Sequence, residues 1–409
     1  MRRRPRRHHL TDNYALPGFI ARRSVRGLFG DRLARVVTLD RRTRRTVCGT
    51  CSTVHFGWYD RRRRLARDLA SGNTRVYVEI ENRRVRCRRC GAVRKEVLDE
   101  VLNSPFVTRR FAYAVGRRCR DATVQAIAKE LRLSWQTVKD LDIEYMSAQL
   151  DRHPIATPAV IGIDEISVRK GHDYRIVVSD LIRRRPIWFG GNDRSEASMD
   201  VFYESLGEKR LRRIRLVVLD MWRPFENSAR HHVPHAGLLY DKFHALRHLG
   251  DAMDAVRRSE YARLTADDRR FVKGQRYALL AHARNLTTDG RRTLKTLLAA
   301  NQRLHVAYVL KESFGQLWDY QREGWARRFF ENWRNSLVGQ DLPQFEKFAA
   351  MIDRHWDGIA AHCRPENKVS LGYVEGLNNK IRVLQRRSYG LTDENYLALK
   401  VLTCSLKPI

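Results

Sequence analysis

Two aspartates occupy the same local context in this chain. Val160-Ile-Gly-Ile163 runs into Asp164, and Leu216-Val-Val-Leu219 runs into Asp220. Each apolar run has the length and character of a buried strand, so each aspartate stands at a strand's carboxyl end. If the two strands are neighbours, the carboxylates emerge close together and repel unless a divalent cation neutralises them. Mg²⁺ or Mn²⁺, held by oxygen ligands, suits such a pair. Two ions about 4 Å apart can activate a nucleophile and stabilise a leaving oxygen on a phosphate. A single Asp after a strand is commonly a turn or cap residue; the repetition is what points to chemistry. The third acid is expected at Glu375, in Gly372-Tyr-Val-Glu-Gly-Leu-Asn-Asn-Lys-Ile-Arg382, where Glu375, Asn378, Asn379 and Arg382 share one helix face. An acid, amides and a cation on one face fit a metal beside a phosphate backbone, with Asn379 and Arg382 as DNA contacts. Glu323 and Glu331 are rival acids, but their aromatic-rich helical surroundings suit packing better.

Four of the seven cysteines form two pairs, Cys48-Gly-Thr-Cys51 and Cys87-Arg-Arg-Cys90, each followed by a small residue, Ser52 or Gly91. Two such knuckles offer four thiolates to one tetrahedral Zn²⁺, the pattern of a zinc ribbon. Disulfides are the competing reading. The odd cysteine count, and an N-terminus whose arginines are followed by no apolar core of a secretory signal, argue against them. Between the pairs, Val76, Val78 and Ile80 alternate as one face of a strand.

These sites need elements to hold them. After the cysteines, Val124, Ile127, Ala128 and Leu131 fall at helical spacing, and Ser134 is placed to cap a second helix with Val138, Leu141 and Tyr145 on its apolar face. Two helices joined by a tight turn match a helix-turn-helix, with Trp135, Gln136, Thr137 and Lys139 offered to a major groove of double-stranded DNA. An ordinary helical hairpin is the alternative. His153–Pro158 reads as a linker. Beyond it come three strands (Ala159–Ile163, Tyr174–Leu181, Pro186–Phe189), a helix over Ser195–Leu206, a strand over Ile214–Leu219, a further helix, and a strand over Gly237–Tyr240 that ends on Asp241.

The charge balance agrees with a polyanionic partner. Lys plus Arg number 79 against 46 Asp plus Glu, a net +33. Residues 1–100 hold 27 basic and 10 acidic residues, so 27 − 10 = +17 lies on the first quarter of the chain. Such a field seeks nucleic acid first and an acidic membrane surface second. No apolar run approaches the roughly 18 residues of a spanning helix, which excludes an integral α-helical membrane protein.

Taken in order, these motifs resemble the ISL3 type of bacterial insertion-sequence transposases over about residues 40–405. The resemblance rests on the four cysteines, Ile161-Gly-Ile-Asp164-Glu165 with Arg169-Lys-Gly-His172, Leu219-Asp220-Met-Trp222, Tyr240-Asp241-Lys-Phe-His244, and Val374-Glu375-Gly-Leu-Asn378-Asn379-Lys-Ile381. It implies a multidomain α+β and α/β chain: a basic arm over 1–40, a zinc ribbon over 41–100, a helix-turn-helix over 101–152, and a ribonuclease H-like domain over 153–409. The last would contain an all-α insertion over 242–358, because the 155 residues from Asp220 to Glu375 are too many for an unstructured connection. Trp318, Trp325 and Trp333 in that insertion are expected in its core.

The resemblance further implies that Asp164, Asp220 and Glu375 are a metal-binding catalytic triad, with Asp241 and His244 as secondary site residues. His248, one turn on, would share their face. The implied reaction is metal-dependent cleavage at terminal inverted repeats followed by attack of the freed 3′-hydroxyl on target DNA, by at least a dimer in the bacterial cytoplasm at the nucleoid. A non-catalytic regulator derived from a transposase and a structure-selective nuclease of the same fold are the alternatives.

Overall fold

A computed structural model describes residues 9–102, 106–169, 173–263, 269, 274–370, 372–388, 391 and 393–409. The chain divides into two compact units, one of residues 1–154 with 384–409 and the other of residues 155–383. The second unit therefore stops short of the expected 409, because residues after 383 pack with the N-terminal unit.

In the first unit, β1 (Phe19–Leu28), β2 (Asp31–Arg41), β6 (Thr74–Arg86) and β5 (Asp60–Ser71) form a sheet in that order, with β7 (Val93–Lys95) added beside β6. β3 (Thr46–Val47) and β4 (Val54–His55) make a small hairpin. The expectation of a basic arm over residues 1–40 is corrected here for residues 19–40, which are strands; residues 1–8 lie outside the described residues. Phe19 and Ala21 of β1 and Val37 and Leu39 of β2 bury themselves with Val76, Val78 and Ile80 of β6. The arginines on the opposite face are matched by acids across the sheet: Arg22 pairs with Asp40 of the neighbouring β2 at 2.6 Å, and Arg26 reaches Glu79 of β6, two strands away, at 2.6 Å. Cross-strand ion pairs thus stabilise strands whose composition looked like an arm.

Three helices follow, α1 (Arg109–Arg118), α2 (Val124–Leu131) and α3 (Trp135–Arg152). The hydroxyls of Thr108, Thr123 and Ser134 cap them by accepting from Phe111, Ala126 and Thr137 backbone N–H groups. Ser104-Pro105, which reads as a helix start in the sequence, lies outside the described residues; α1 begins at Arg109. The turn between α2 and α3 closes on Arg132, at φ 53°. At Gly116 of α1 an added Cβ would overlap the Tyr145 side chain, so only glycine lets α1 lie this close to α3. The last helix of the chain (Glu394–Thr403) packs on α3. There Lys400 reaches the buried Asp142 at 2.5 Å, and Tyr396 donates its hydroxyl to the same carboxylate.

The second unit is built on a five-stranded sheet in the order β10 (Arg185–Gly190), β9 (Asp173–Asp180), β8 (Val160–Arg169), β11 (Leu216–Leu219), β12 (Gly237–Tyr240). β8, β9 and β10 are antiparallel neighbours, and β11 runs parallel to both β8 and β12. The connections are α4 (Glu196–Leu206), α5 (Glu208–Leu211) and α6 (Arg223–His232). One sheet face, with Ile161, Ile163, Val217 and Leu219, joins the main core under α4 and α6. The other, with Val160, Leu216, Val218 and Leu239, meets Val374 from the helix Gly372–Arg387.

Between β12 and that helix the described residues are helical, beginning with α7 (Lys242–Arg263) and including the helices Thr288–Ala300, Gln302–Phe314, Glu323–Asn335 and Pro343–Arg354. Trp333 is buried at 5 % exposure and Trp318 packs at the core edge, whereas Trp325 is 55 % exposed, against expectation. The excursion returns to its starting point. A Cβ on Gly358 would overlap the Tyr240 ring, and His362 Nε2 lies 2.7 Å from the Tyr240 carbonyl oxygen.

Candidate active site and metal centres

Strand register explains the acidic site. Val218 of β11 pairs with Gly162 of β8 on one side and with Leu239 of β12 on the other, so these three form one cross-strand row. Side chains alternate along strands, so the residues two positions further on face the same way. Those residues are Asp164, Asp220 and Asp241. The ladder persists to the end of the row, since Asp241 N–H donates to the Leu219 carbonyl at 2.8 Å. All three lie on the face that carries Val374, and so beneath the helix bearing Glu375. Asn378, one turn along that helix, donates Nδ2–H to Asp164 Oδ2 at 2.6 Å. Gly162 is needed for this approach: a Cβ there would stand 3.0 Å from Val374 Cγ2 and 2.8 Å from a Leu181 methyl.

The electrostatics show crowding of like charge. Burial is the main cause that pushes the Asp164 carboxyl up to about 6, and the charges of Asp220 and Asp241 add to it. Asp220 is raised by burial and held back by His244 and Arg194. Asp241 is raised by burial and by Glu375, while the Phe243 amide and His244 oppose the rise. Glu375 itself is exposed. His244 Nδ1 stands 3.8 Å from Asp241 Oδ2, and His248 is held below the usual histidine value by burial and Arg247.

Two residues outside the expected set belong here. Glu165, pushed up to about 7 by burial and by Asp220 and Asp164, forms an ion pair with Arg194 at 2.8 Å. Arg194 in turn lies over the Trp222 ring, 4.3 Å from its centroid, and its carbonyl accepts the Trp222 indole N–H at 2.8 Å. Alternation turns Glu165 away from Asp164, so strand logic gave no reason to select it. No spacing rule links Arg194 to the aspartates.

Buried oxygens at Glu165 Oε2 and Asn378 Oδ1 lack a hydrogen-bond partner. Crowded carboxylates with free oxygen donors fit a hard divalent cation. Among the described residues, this group does not converge as tightly as the cysteines, whose ligand atoms all lie within 4.8 Å of one another. Glu323 and Glu331 have other partners, Arg364 at 3.8 Å and Arg327 at 2.8 Å. Lys170–His172 of the Arg169 motif lie outside the described residues.

Cys48, Cys51, Cys87 and Cys90 make the second centre. Their sulfurs stand 3.9 Å (Cys48–Cys90) and 3.4 Å (Cys51–Cys87) apart, near the roughly 3.8 Å that a tetrahedron with Zn–S of about 2.3 Å requires. The two loops are alike. Ser52 N–H donates to the Cys48 carbonyl and Gly91 N–H to the Cys87 carbonyl, each with its residue at positive φ. None of the seven cysteines is in a disulfide.

The expected DNA-reading side chains divide. Trp135 and Gln136 are exposed on α3, Gln136 donating to Asp140, and Thr137 is half-buried with its hydroxyl on Ser134. Lys139 departs from expectation. It is 14 % exposed, paired with Asp393 at 2.6 Å, and lies over the rings of Trp135 and Tyr396. Asn379 and Arg382 are exposed, and Arg382 donates to the Asn379 amide oxygen at 3.0 Å.

Comparison with known proteins gives three family matches in the same order. A zinc finger of the transposases of IS204, IS1001, IS1096 and IS1165 matches residues 44–90, a helix-turn-helix domain of transposase family ISL3 matches 106–145, and a transposase domain of that family matches 161–401. The chain is 34 % identical over 358 residues to the transposase for insertion sequence element IS1001 of Bordetella parapertussis, covering 87 % of this chain and 86 % of that one. It is 28 % identical over 392 residues to the transposase for IS1557 of Mycobacterium tuberculosis, covering 87 % and 85 %. Among the described residues, no helix is long and apolar enough to cross a membrane.

Proposed function

From the premise that this chain belongs to the ISL3 family of transposases, we propose that it cleaves DNA at the ends of an insertion element and joins them to a target. The observation that carries the reading is that Asp164, Asp220 and Asp241 each stand two residues beyond the paired row Gly162–Val218–Leu239, on whose face Val374 of the helix that bears Glu375 packs. The strand order, with three antiparallel strands followed by two parallel ones, supports a ribonuclease H-like domain.

Asp164, Asp220 and Glu375 would hold Mg²⁺ or Mn²⁺, with Asp241 beside them. Bound there, a divalent ion would neutralise the scissile phosphate and make water or a 3′-hydroxyl a competent nucleophile. The protein's own groups do the rest. Asn378 orients the Asp164 carboxylate by its hydrogen bond, leaving its own oxygen free. Arg194, anchored on Trp222 and Glu165, places a fixed cation beside the acids, where it offsets phosphate charge. His244, next to Asp241, is positioned to exchange a proton with the leaving oxygen. In the first step water attacks the phosphorus and the 3′ oxygen leaves with a proton. In the second, that 3′-hydroxyl attacks a target phosphodiester and displaces its 3′ oxygen.

The zinc ribbon and α2–α3 would bind the terminal repeats, with phosphate contacts supplying most affinity and base contacts the register. Pairing two element ends calls for at least a dimer in the joining complex. The test uses DNA carrying the element's terminal repeats. Asp220→Asn and Glu375→Gln should bind it with wild-type affinity but lose cleavage and joining with Mg²⁺ or Mn²⁺. Cleavage by Asp220→Asn at the wild-type rate would sink the reading; cutting without joining of pre-cleaved ends would make the protein a nuclease.

A further inference from the structure

The zinc-bearing unit contains a polar cavity that the assignments above leave unused. It holds about 240 Å³ and is lined by Asp60, Arg61 and Arg62 of β5, Asn82 and Arg84 of β6 and Lys95 of β7. Register explains the grouping: Arg62 pairs with Asn82, and Arg84 stands between Asp60 and Lys95. The local charges do not cancel. Asp60 is consumed by a two-pronged pair with Arg84, and Arg61 is held by Glu81 at 3.2 Å. Among the described residues, Arg62 and Lys95 have no carboxylate in ion-pair range. At the cavity wall, Asn82 is 5 % exposed, and its buried Nδ2 has no hydrogen-bond acceptor. A buried donor left unpaired costs about 1–3 kcal/mol, so something is expected to accept from it.

Next to this cavity lies a second, aromatic groove of about 640 Å³, whose lining includes Phe56, Trp58, Tyr59, Arg86 and Arg88. Phe56 is 76 % and Tyr59 54 % exposed. Arg84, which lines the first, lies 5.8 Å from the ring centroid of Tyr59, which lines the second.

We propose that this sheet binds an unpaired nucleotide of DNA, its phosphate taken by Arg62, Lys95 and the Asn82 amide and its base stacked on Tyr59 and Phe56. The inference rests on the transposase reading, which supplies DNA with frayed or cut ends. Cations beside an unpaired amide donor suit a monoanionic phosphodiester. An exposed aromatic surface flanked by guanidinium groups suits a base that has left its stack.

Fluorescence anisotropy on the full-length, zinc-loaded protein tests it, with a labelled single strand and a labelled blunt duplex as probes. Arg62→Ala/Lys95→Ala should weaken single-strand binding about tenfold and lower the salt slope by about 0.7 for one lost phosphate contact. Arg212→Ala/Arg213→Ala, which removes the same charge from an exposed turn of the other unit, should change it less than twofold. Asn82→Asp should mimic the first variant. If it fails to fold, as read by zinc content, the double variant decides alone. Phe56→Ala/Tyr59→Ala should weaken the single strand more than the duplex. Equal weakening by the two double-arginine/lysine variants, or no single-strand preference lost with the aromatics, would overturn the proposal. Neither result touches the transposase reading, which stands or falls on cleavage by Asp220→Asn.

Discussion

Asp164→Asn should stabilise the protein while abolishing its chemistry. The Asp164 carboxyl is raised from 3.8 to about 6, chiefly by burial. About two units at roughly 1.4 kcal/mol each give about 3 kcal/mol held against folding when the group is ionised. The sign follows from the direction of the shift. The unfolded chain releases this proton first, so the penalty is absent below pH 3.8, grows as pH rises towards about 6, and is complete above it. The amide substitutes without loss of partners. Its oxygen accepts from the Glu165 N–H as Asp164 Oδ1 does, and its NH₂ finds the unpaired Oδ1 of Asn378 once that amide turns over. For a unit of this size, about 3 kcal/mol corresponds to a rise of about 6–12 °C in Tm. Tryptophan fluorescence reads the right transition, because six of the eight tryptophans lie in residues 155–383. Melts of the second unit's transition at pH 8 and pH 4, without added divalent metal or chelator, should show the full gain at pH 8 and little of it at pH 4. Adding Mg²⁺ at pH 8 should raise the wild-type Tm and leave the variant's unchanged. A variant no more stable than wild type at pH 8, or one stabilised equally at both pH values, would refute the argument.

Further outcomes follow from the same geometry. Divalent-ion affinity, measured by Mn²⁺ titration calorimetry, should fall as pH drops through 7 to 6, because Glu165 and Asp164 take up protons there. Cys87→Ser should lose most bound zinc and with it the knuckle fold, since metal binding supplies roughly 10 kcal/mol or more to such modules; metal analysis and circular dichroism check this, and metal-dependent nicking by the second unit should survive. Gly116→Ala should lower the stability of the first unit by at least about 1–3 kcal/mol through overlap with Tyr145, seen as an earlier loss of DNA binding on heating.

Sequence patterns carried much of the catalytic unit because its strands are apolar runs with one interpretation. β12 begins and ends where its residues predicted, and the aspartates at the ends of β8, β11 and β12 follow from strand alternation once neighbours are known. Which strands are neighbours is a long-range fact, so the equal footing of Asp241 with Asp164 and Asp220 was not legible. Glu165 and Arg194 were missed for a related reason: their pairing spans two elements. β1 and β2 were hidden by arginines whose partners sit on other strands, Asp40 on the neighbouring β2 and Glu79 on β6, two strands from Arg26. Lys139 shows the opposite failure. Its spacing on α3 fits a groove contact, but Asp393, some 250 residues later, claims it. The two cysteine knuckles needed no such knowledge, because each is a local loop whose geometry is set by its own few residues.

The helical excursion that leaves the sheet after Tyr240 and comes back to the same tyrosine has a consequence for how such chains diversify. Gly358 and His362 touch the residue just before the departure point, so the excursion closes on itself like a handle on a cup. The entropy of closing a loop grows only as the logarithm of its length. A longer, shorter or wholly different handle, fixed at the same two points, would leave the acids where they are. The length and content of the handle can then differ while the sheet keeps its row of acids in place.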